Sequence, residues 1–169
     1  MRRLREITPY EMENAMKLIG KDWMLITASD EKKVNAMTAS WGNMGVIWGK
    51  PVCTVYIRPQ RYTYSLIEES ERFSLSFLDE KYRDALKLCG TLSGRDCDKL
   101  ERAGLASTML DGVPTIAQSR LVIICKKLYA DDIRPDKFIC DEPLANYKAN
   151  DFHRFYICEI EKVLIAEEE

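Results

Sequence analysis

The sequence has only one histidine, no C-x-x-C pair, and no glycine-rich motif of the G-x-G-x-x-G or G-x-x-x-x-G-K-[ST] type. The single histidine and the cysteine spacing are untypical of zinc sites, so we expect no metal site. The missing glycine motifs disfavour Rossmann and P-loop nucleotide sites. No apolar leader segment precedes the six cysteines, and we therefore expect free thiols in a reducing, cytoplasmic compartment.

The chain also lacks a charge excess and a long apolar run. Its 25 basic and 27 acidic residues give a net charge of −2, which does not indicate a nucleic-acid partner. The longest uncharged stretch, residues 35–49, contains Asn, Thr and Ser and is too short and too polar to cross a bilayer. We expect neither a nucleic-acid nor a membrane partner.

What is present is the composition of a globular protein. With 169 residues, of which 46% are hydrophobic and 31% charged, the chain is long enough to bury its own core. We predict a single domain over residues 1–169.

The apolar pattern predicts a mainly β fold with peripheral helices. Strands are expected at residues 23–29, 34–41, 51–57, 72–78, 121–129 and 152–165. Helices are expected at residues 9–19, 63–69, 81–89 and 96–103, with Gly20, Gly90 and Gly104 ending three of them. A polar turn at residues 29–33 should join the first two strands into a hairpin. Short strands without β-α-β alternation favour a closed antiparallel barrel.

Three polar clusters are candidates for a binding site, and the first is N-A-M-T-A-S-W-G at residues 35–42. On an extended strand Thr38 and Ser40 point to one side, which suits a polar ligand lying along the strand end. A half-exposed strand in which threonine is simply a good β-former explains the pattern equally well.

The second cluster is R-P-Q-R-Y-T at residues 58–63, between a buried strand and a helix. If Thr63 caps that helix, free backbone N–H groups and the positive end of the helix dipole lie beside Arg58 and Arg61. Such an arrangement favours a phosphate. The alternative is a solvated loop with no ligand.

The third cluster, G-T-L-S-G-R-D-C-D-K at residues 90–99, offers donors at Ser93, Arg95 and Lys99 on a glycine-containing loop. Taken alone, it is typical of an ordinary connection between two helices.

In order and spacing, these clusters resemble the flavin reductase-like family of FMN-binding split barrels, whose members include the flavoredoxins. The similarity covers about residues 15–165. It rests on N-x-M-T-x-S-W at residues 35–41, P-x-x-x-V-x-I-R at 51–58, R-x-T at 61–63, F-S-L-S-F at 73–77 and S-G-R-D-x-D-K at 93–99.

The resemblance implies a six-stranded Greek-key split barrel that forms a two-fold dimer with one FMN near each end of the interface. It assigns FMN contacts to residues in all three clusters. These are Asn35, Thr38, Ala39, Ser40, Trp41, Arg58, Arg61, Tyr62, Thr63, Ser93, Gly94 and Lys99. Within this set, the phosphate-facing turn corresponds to Arg58, Arg61 and Thr63.

Family members often carry a histidine on the nicotinamide side of the site, and His153 is the single candidate here. It departs from the usual glycine-containing context, and the alternative is a histidine on a strand face without a role in the reaction. No side chain is predicted to act as a catalytic acid or base, since the cofactor carries the hydride chemistry.

The resemblance therefore implies an NAD(P)H:flavin oxidoreductase that uses NADH or NADPH and passes electrons to an acceptor. A non-enzymatic FMN electron carrier reduced by a redox protein partner is the alternative. A related oxidase of the pyridoxal-phosphate type is disfavoured by the N-x-M-T-x-S-W segment.

Overall fold

The computed structural model describes residues 3–30 and 32–167, and most of its ordered elements are strands. The strands are β1 (Leu4–Ile7), β2 (Met24–Ser29), β3 (Val34–Ala39), β4 (Gly42–Ile47), β5 (Lys50–Ile57), β6 (Arg72–Phe77), β7 (Ser107–Leu110), β8 (Val113–Ile116), β9 (Leu121–Asp132) and β10 (Arg154–Ala166). The α-helices are α1 (Ala15–Lys17), α2 (Tyr62–Glu69), α3 (Arg83–Thr91) and α4 (Lys99–Arg102). Short 3-10 turns lie at Pro9–Glu11, Glu80–Tyr82, Pro135–Lys137 and Glu142–Asn146.

One antiparallel sheet organises the chain. Its strand order is β3-β2-β6-β9-β10-β5-β4, with β1 paired to the far end of β10, while β7 and β8 form a separate hairpin. The two edge strands of this order, β3 and β4, are consecutive in sequence and are joined only by Ser40 and Trp41. The sheet must therefore curl until its edges meet at this link, which confirms the expected mainly β, barrel-like fold.

The core lies on both faces of the curled sheet near β2. Alternate residues of a strand point to opposite faces, so Ile26 joins the interior with Phe73 and Ile123, whereas Leu25 packs outward against Leu86 of α3. Helices α3 and α4 and the β7–β8 hairpin cover this outer face. These helices therefore have fixed positions next to the end of β3.

Three of the cysteines lie in the interior, as the apolar context of their strands suggests. Cys53, Cys125 and Cys158 are all buried, on β5, β9 and β10, and the Sγ atoms of Cys53 and Cys125 are 3.4 Å apart. They pack as small apolar side chains among the other interior residues.

The helix predicted at residues 9–19 is wrong. The Thr8–Glu11 capping box does form, but it starts only the 3-10 turn at Pro9–Glu11. The side chain of Asn14 then accepts hydrogen bonds from the backbone N–H groups of Met16 and Lys17 and so starts a new helix. That helix continues as a π-turn, Leu18–Asp22, which contains Gly20 instead of ending at it, and Met16 is 86% exposed.

The later helices are also shorter or shifted. Gly90 lies inside α3 and does not end it, while α4 begins only at Lys99 because the Asp98 side chain caps it. Gly104 follows α4 with a φ of +66°, as a helix-ending glycine should. In the turn before β3, Asp30 accepts from the N–H groups of Lys32 and Lys33, whereas Glu31 is outside the described residues.

Four strands were not predicted: β1, β4, β7 and β8. The β4–β5 hairpin turns at Trp48 and Gly49, which both have positive φ (55° and 69°), and the β7–β8 hairpin turns at Asp111 and Gly112. Such two-residue turns match the twist of the strands and favour glycine at the second position. The W-G and D-G pairs in the sequence were therefore usable signals for these hairpins. With β1 and β4, the main sheet has eight strands and not six.

In the described part of the chain, every helix is too short or too polar to cross a membrane.

Candidate functional site

A cleft of about 280 Å³ lies where the β3–β4 link, the turn after β5 and the start of β10 come together. It is lined by Met37, Thr38, Ala39, Ser40, Trp41, Tyr56, Arg58, Arg61 and His153. The first and second polar clusters of the sequence and His153 therefore share one cavity.

Six of the predicted contact residues do not line this cleft: Asn35, Tyr62, Thr63, Ser93, Gly94 and Lys99. Two residues that line it were not predicted, Met37 and Tyr56. Tyr56 could have been found, because it precedes Arg58 by two residues on an extended strand and so shares its side. Met37 alternates with the two hydroxyl residues, and the strand pattern assigns it to the opposite face.

Thr38 is already engaged with helix α3. Its Oγ1 donates a hydrogen bond to the carbonyl oxygen of Leu86 at 2.6 Å. Helix α3 packs directly on this strand, since a Cβ added at Gly90 would lie in ordinary van der Waals contact with the Thr38 Cβ, at 3.5 Å. Thr38 thus fixes the wall of the cleft, whereas the Ser40 hydroxyl forms no hydrogen bond with another described residue.

Arg61 brings a positive charge to one end of the cleft. Its guanidinium donates to the carbonyl oxygens of Gly90 at 2.9 Å and Cys89 at 3.3 Å, at the C-terminal end of α3. Burial lowers its pKa, and no carboxylate of the described residues forms an ion pair with it. A partly buried cation that is held only by neutral carbonyls is suited to binding an anion.

Lys99 supplies a second cation at the same helix end. It is 3% exposed, and its Nζ donates to the carbonyl oxygens of Cys89 (3.1 Å) and Leu92 (3.3 Å). Burial, assisted by the charge of Arg61, lowers the pKa of Lys99 to about 8. Although Lys99 does not line the cleft, it adds positive potential behind Arg61.

The predicted N-cap at Thr63 is wrong. Helix α2 begins at Tyr62 with Arg61 as its N-cap residue, and no side chain caps it. Thr63 is buried inside the first turn, where its Oγ1 accepts a hydrogen bond of 2.8 Å from the Nδ2 of buried Asn35. The hydroxyl is used to join α2 to β3, so the N-terminus of α2 presents Arg61 instead of a threonine cap.

The third polar cluster packs against this Asn35–Thr63 pair. A Cβ at Gly94 would lie only 2.2 Å from the Oδ1 of Asn35, so no other residue fits there without displacement. Lys33 donates to the carbonyl oxygen of Gly94, and Ser93 accepts from the N–H of Arg95 at 3.2 Å. Tyr62 lies beneath two cations, the Nζ of Lys33 at 5.7 Å and the guanidinium of Arg95 at 5.3 Å from its ring.

Arg58, at the other end of the cleft, has its charge balanced. It forms an ion pair with Asp151 and donates to the carbonyl oxygen of Asn146 at 3.0 Å. Gln60 donates to the same carboxylate at 3.0 Å. The hydrogen bond from Arg58 lowers the pKa of Asp151. Arg58 therefore ties the segment between β9 and β10 to the turn after β5.

His153 lies directly before β10 and is 7% exposed. Its Nδ1 is 2.9 Å from the hydroxyl of Tyr147, and its ring centroid lies 5.1 Å from that of Trp41 and 6.4 Å from that of Tyr56. Burial, followed by the charge of Arg58, lowers the pKa of His153 to about 4, although Asp151 opposes this shift. The ring is therefore neutral near pH 7.

A larger apolar groove of about 680 Å³ meets the cleft at Ser40 and Trp41. It runs between the α1 region and strand β4, and includes Met16, Ile19 and Met44. Trp41 is 43% exposed between the two cavities. Within the residues that the structure describes, no group of three or more His, Cys, Asp or Glu side chains could hold a metal ion.

Comparison with known proteins places these features in a family. Residues 16–169 match the flavin reductase like domain. An uncharacterized protein of Aeropyrum pernix is 30% identical over 132 residues, or 76% of this chain and 50% of that protein. The chain therefore spans about half the length of this curated relative.

Two solved structures share the fold at low sequence identity. An FMN-binding domain of a flavin reductases-like enzyme from Shewanella baltica aligns with a TM-score of 0.72 at 18% identity, covering 98% of this chain and 78% of that one. The flavoredoxin of Methanosarcina acetivorans aligns with a TM-score of 0.67 at 21% identity, covering 87% and 69%. The split-barrel fold expected from the sequence is confirmed.

Proposed function

The chain belongs to the flavin reductase like family, and we propose that it binds FMN and catalyses hydride transfer from NADH or NADPH to that flavin. The observation that carries the proposal is Arg61, a partly buried cation at one end of the cleft whose hydrogen-bond partners are neutral carbonyl groups. An anion of the ligand would balance this charge. FMN has such an anion in its phosphate, whereas riboflavin does not.

The residues of the cleft fit this cofactor. Arg61 would hold the phosphate, with Lys99 behind it contributing positive potential. The Ser40 hydroxyl and the Trp41 backbone would lie along the flavin, and the rings of Trp41 and Tyr56 offer flat apolar walls. The bound flavin supplies the hydride chemistry, and the protein has to orient two rings and stabilise the negative charge of the reduced flavin.

The side chains around the cleft are consistent with a protein that performs no acid or base catalysis itself. His153 is uncharged near neutral pH because its pKa is lowered to about 4. Arg58 and Asp151 are committed to each other. The work of this chain is thus to bind, to orient and to exclude water around the reacting rings.

A non-enzymatic FMN electron carrier is the second candidate. Its support is the structural similarity to a flavoredoxin and the 43% exposure of Trp41 beside the cleft. In that role a redox protein partner, and not a nicotinamide nucleotide, would reduce the flavin.

Anaerobic reduction tests the proposal and separates the two candidates. The protein is loaded with FMN, freed of excess cofactor, and mixed with NADH or NADPH in a stopped-flow spectrophotometer. Rapid bleaching of the yellow absorbance is expected with one of the two nucleotides. FMN retained without bleaching by either nucleotide would favour the electron carrier, and no binding of FMN in a fluorescence titration would exclude both roles.

We also propose that the protein acts as a homodimer in which the partner completes the flavin site. At about 280 Å³ the cleft is small for a ligand-binding site, which usually encloses about 300–1,000 Å³. The edge strand β4 lines the apolar groove at Gly42, Asn43 and Met44. Further along, the same strand exposes Val46 (62%), and the turn after it exposes Trp48 (58%). A second copy packed on this face would bury these residues and enlarge the site.

Light scattering coupled to size-exclusion chromatography tests the dimer. A mass near twice the 19.6 kDa of one chain is expected for the FMN-loaded protein. Trp48→Glu, which places a charge on the exposed turn, should shift the protein toward the monomer and weaken FMN binding with it. A wild-type protein that has the mass of one chain with FMN bound would contradict the proposal.

A further inference from the structure

Tyr147 and His153 form a buried pair at the edge of the cleft. His153 is one of the residues that line the cleft, whereas Tyr147 is not. Both side chains are only 7% exposed, and the Tyr147 hydroxyl oxygen lies 2.9 Å from Nδ1 of His153. One edge of the imidazole is therefore occupied by protein.

The tyrosine is itself held in place from several sides. Its ring stacks on Phe152 with centroids 4.6 Å apart and an angle of 22° between the planes. The guanidinium of Arg58 lies 5.5 Å from the ring centroid, and the ring of Phe138 lies 6.1 Å away at a steep angle. These contacts leave the hydroxyl in a defined position against His153.

The direction of the hydrogen bond follows from counting protons. A neutral imidazole carries one N–H, on either Nδ1 or Nε2, and a tyrosine hydroxyl can donate one hydrogen bond. In the part of the chain described, the bond to His153 is the one hydrogen bond that the structure gives to the Tyr147 hydroxyl. If Nδ1 carried the proton, the buried hydroxyl would have no acceptor for its own hydrogen.

Tyr147 and His153 both have the protonation state that a hydrogen bond from the tyrosine hydroxyl to Nδ1 requires. Burial raises the pKa of Tyr147, so its hydroxyl retains the proton. Burial and Arg58 lower the pKa of His153 to about 4, so its ring carries only one N–H near pH 7. The tyrosine then donates to Nδ1, and the histidine proton belongs on Nε2.

We propose that Tyr147 is a positioning residue that holds His153 in the Nε2–H tautomer, so that the cleft offers a neutral, fixed hydrogen-bond donor to a carbonyl oxygen of a planar ring ligand. The ligand part of this statement rests on the proposed function. Two sources share the required chemistry, the ring carbonyls of the flavin and the carboxamide of a nicotinamide. The tautomer part concerns the ligand-free protein and is independent of what binds.

The single histidine of the sequence allows a direct test. Nitrogen-15 NMR of the protein labelled at histidine shows one imidazole, and its two nitrogen shifts distinguish a protonated from an unprotonated ring nitrogen. Near pH 7 we expect Nδ1 to be unprotonated and Nε2 protonated. A protonated Nδ1 in the wild-type protein would overturn the proposal without any variant.

Tyr147→Phe removes the hydroxyl and keeps the stacked ring. Both nitrogen shifts should then move toward each other, as expected for an exchanging mixture of the two tautomers. Tyr129→Phe is the matched control, because its hydroxyl is on the exposed end of β9 and contacts Asp131 at 3.2 Å. Unchanged imidazole shifts in Tyr147→Phe would show that the hydroxyl does not set the tautomer.

Ligand additions then identify the acceptor. FMN is added first and NAD⁺ second, and the Nε2–H signal is followed at each step. A shift on the first addition assigns the acceptor to the flavin, and a shift only on the second assigns it to the nicotinamide. If FMN binds by fluorescence titration and neither addition moves Nε2–H, the donor role is refuted. If FMN does not bind, the proposed function fails while the tautomer result stands.

Discussion

The two ends of the cleft carry arginines only three residues apart, yet their charges are balanced in opposite ways. Arg58 is paired with Asp151 and also satisfied by a backbone carbonyl. Arg61 donates to two carbonyls at the end of α3 and has no ion pair with any described residue. An arginine that is paired with a carboxylate of the protein stabilises the fold, whereas an arginine without an ion pair can attract the anion of a ligand. We therefore propose anion binding at the Arg61 end and structural support at the Arg58 end.

The largest effect on FMN affinity is expected from replacing Arg61, which has no ion pair with a described carboxylate. Arg61→Gln should weaken FMN binding by about 1.5–3 kcal/mol, the range for a hydrogen bond to a charged group, or roughly 10- to 150-fold. Riboflavin, which has no phosphate, should bind almost unchanged. Fluorescence quenching titrations with both flavins measure the two affinities.

Arg95→Gln is the matched control for this experiment. Arg95 is also a cation near the start of α2, but it contacts the carbonyl oxygen of Gln60 and does not line the cleft. Its substitution should change FMN affinity by less than about threefold. Equal losses for FMN and riboflavin in Arg61→Gln would show that Arg61 does not bind the phosphate.

Replacing Arg58, whose charge is balanced by Asp151, should lower the stability of the fold more than it lowers the affinity for FMN. In Arg58→Gln the carboxylate of Asp151 loses its ion pair and keeps only the hydrogen bond from Gln60, so the midpoint of thermal unfolding should fall measurably. FMN affinity should change less than in Arg61→Gln. Adding Asp151→Asn in the same chain removes the unpaired carboxylate and should recover part of the lost thermal stability. An Arg58→Gln protein that is fully stable but binds FMN as weakly as Arg61→Gln would reverse the assignment of the two ends.

Another effect concerns the acid stability of the protein at the Arg58 end of the cleft. The pKa of His153 is lowered from an ordinary 6.5 to about 4, by burial first and by Arg58 second. Between these values the unfolded chain binds a proton that the folded protein does not, so stability falls as the pH drops through this window and the loss is complete below about pH 4. His153→Gln should remove this component.

Urea unfolding of the wild type and of His153→Gln at about pH 7 and about pH 4.5 measures the difference. The wild type should lose more of its stability between the two conditions than the variant, because the sequence has no other histidine to contribute. Equal losses in both proteins would mean that His153 can be protonated in the folded state.

The smallest effect on FMN affinity is expected at Trp41, which lines the cleft and carries no charge. Trp41→Phe keeps the backbone N–H and most of the apolar surface, so FMN affinity should change by less than about 1 kcal/mol. The rate of flavin reduction in stopped flow is the more sensitive measurement, since the indole lies beside His153. A loss of FMN as large as that in Arg61→Gln would show that the indole itself is a major part of the binding surface.

The strands of the sheet core could be predicted because their signal is local. Runs such as residues 72–78 combine β-branched or aromatic residues with alternation, and β6 forms there as Arg72–Phe77. Helices near the chain start could not be placed in the same way. The T-x-x-E box at Thr8 and the cap at Asn14 are both good helix starts, and the local pattern does not show that the first of them begins only a 3-10 turn.

The segments that form the cleft could be predicted from the sequence, but the contacts of individual side chains could be predicted less well. Ser40, Trp41 and Arg61 line the cleft as expected, since each segment ends at the same edge of the sheet. The pairing of Arg58 with Asp151 spans 93 residues of sequence and leaves no local signal. The same holds for Thr63 in α2, whose partner Asn35 lies on β3, 28 residues earlier. The local pattern of a helix cap was therefore more apparent than the contact that uses the hydroxyl.

The position of β10 in the sheet has a consequence for how the chain is made. In the strand order, β10 is the one link between the β3-β2-β6-β9 half and the β5-β4 half, and it also holds β1. During synthesis from the N-terminus, the two halves therefore emerge before the strand that joins them. Until Arg154–Ala166 leaves the ribosome, the inner edges of β5 and β9 have no partner, and they are open to pairing with other nascent chains.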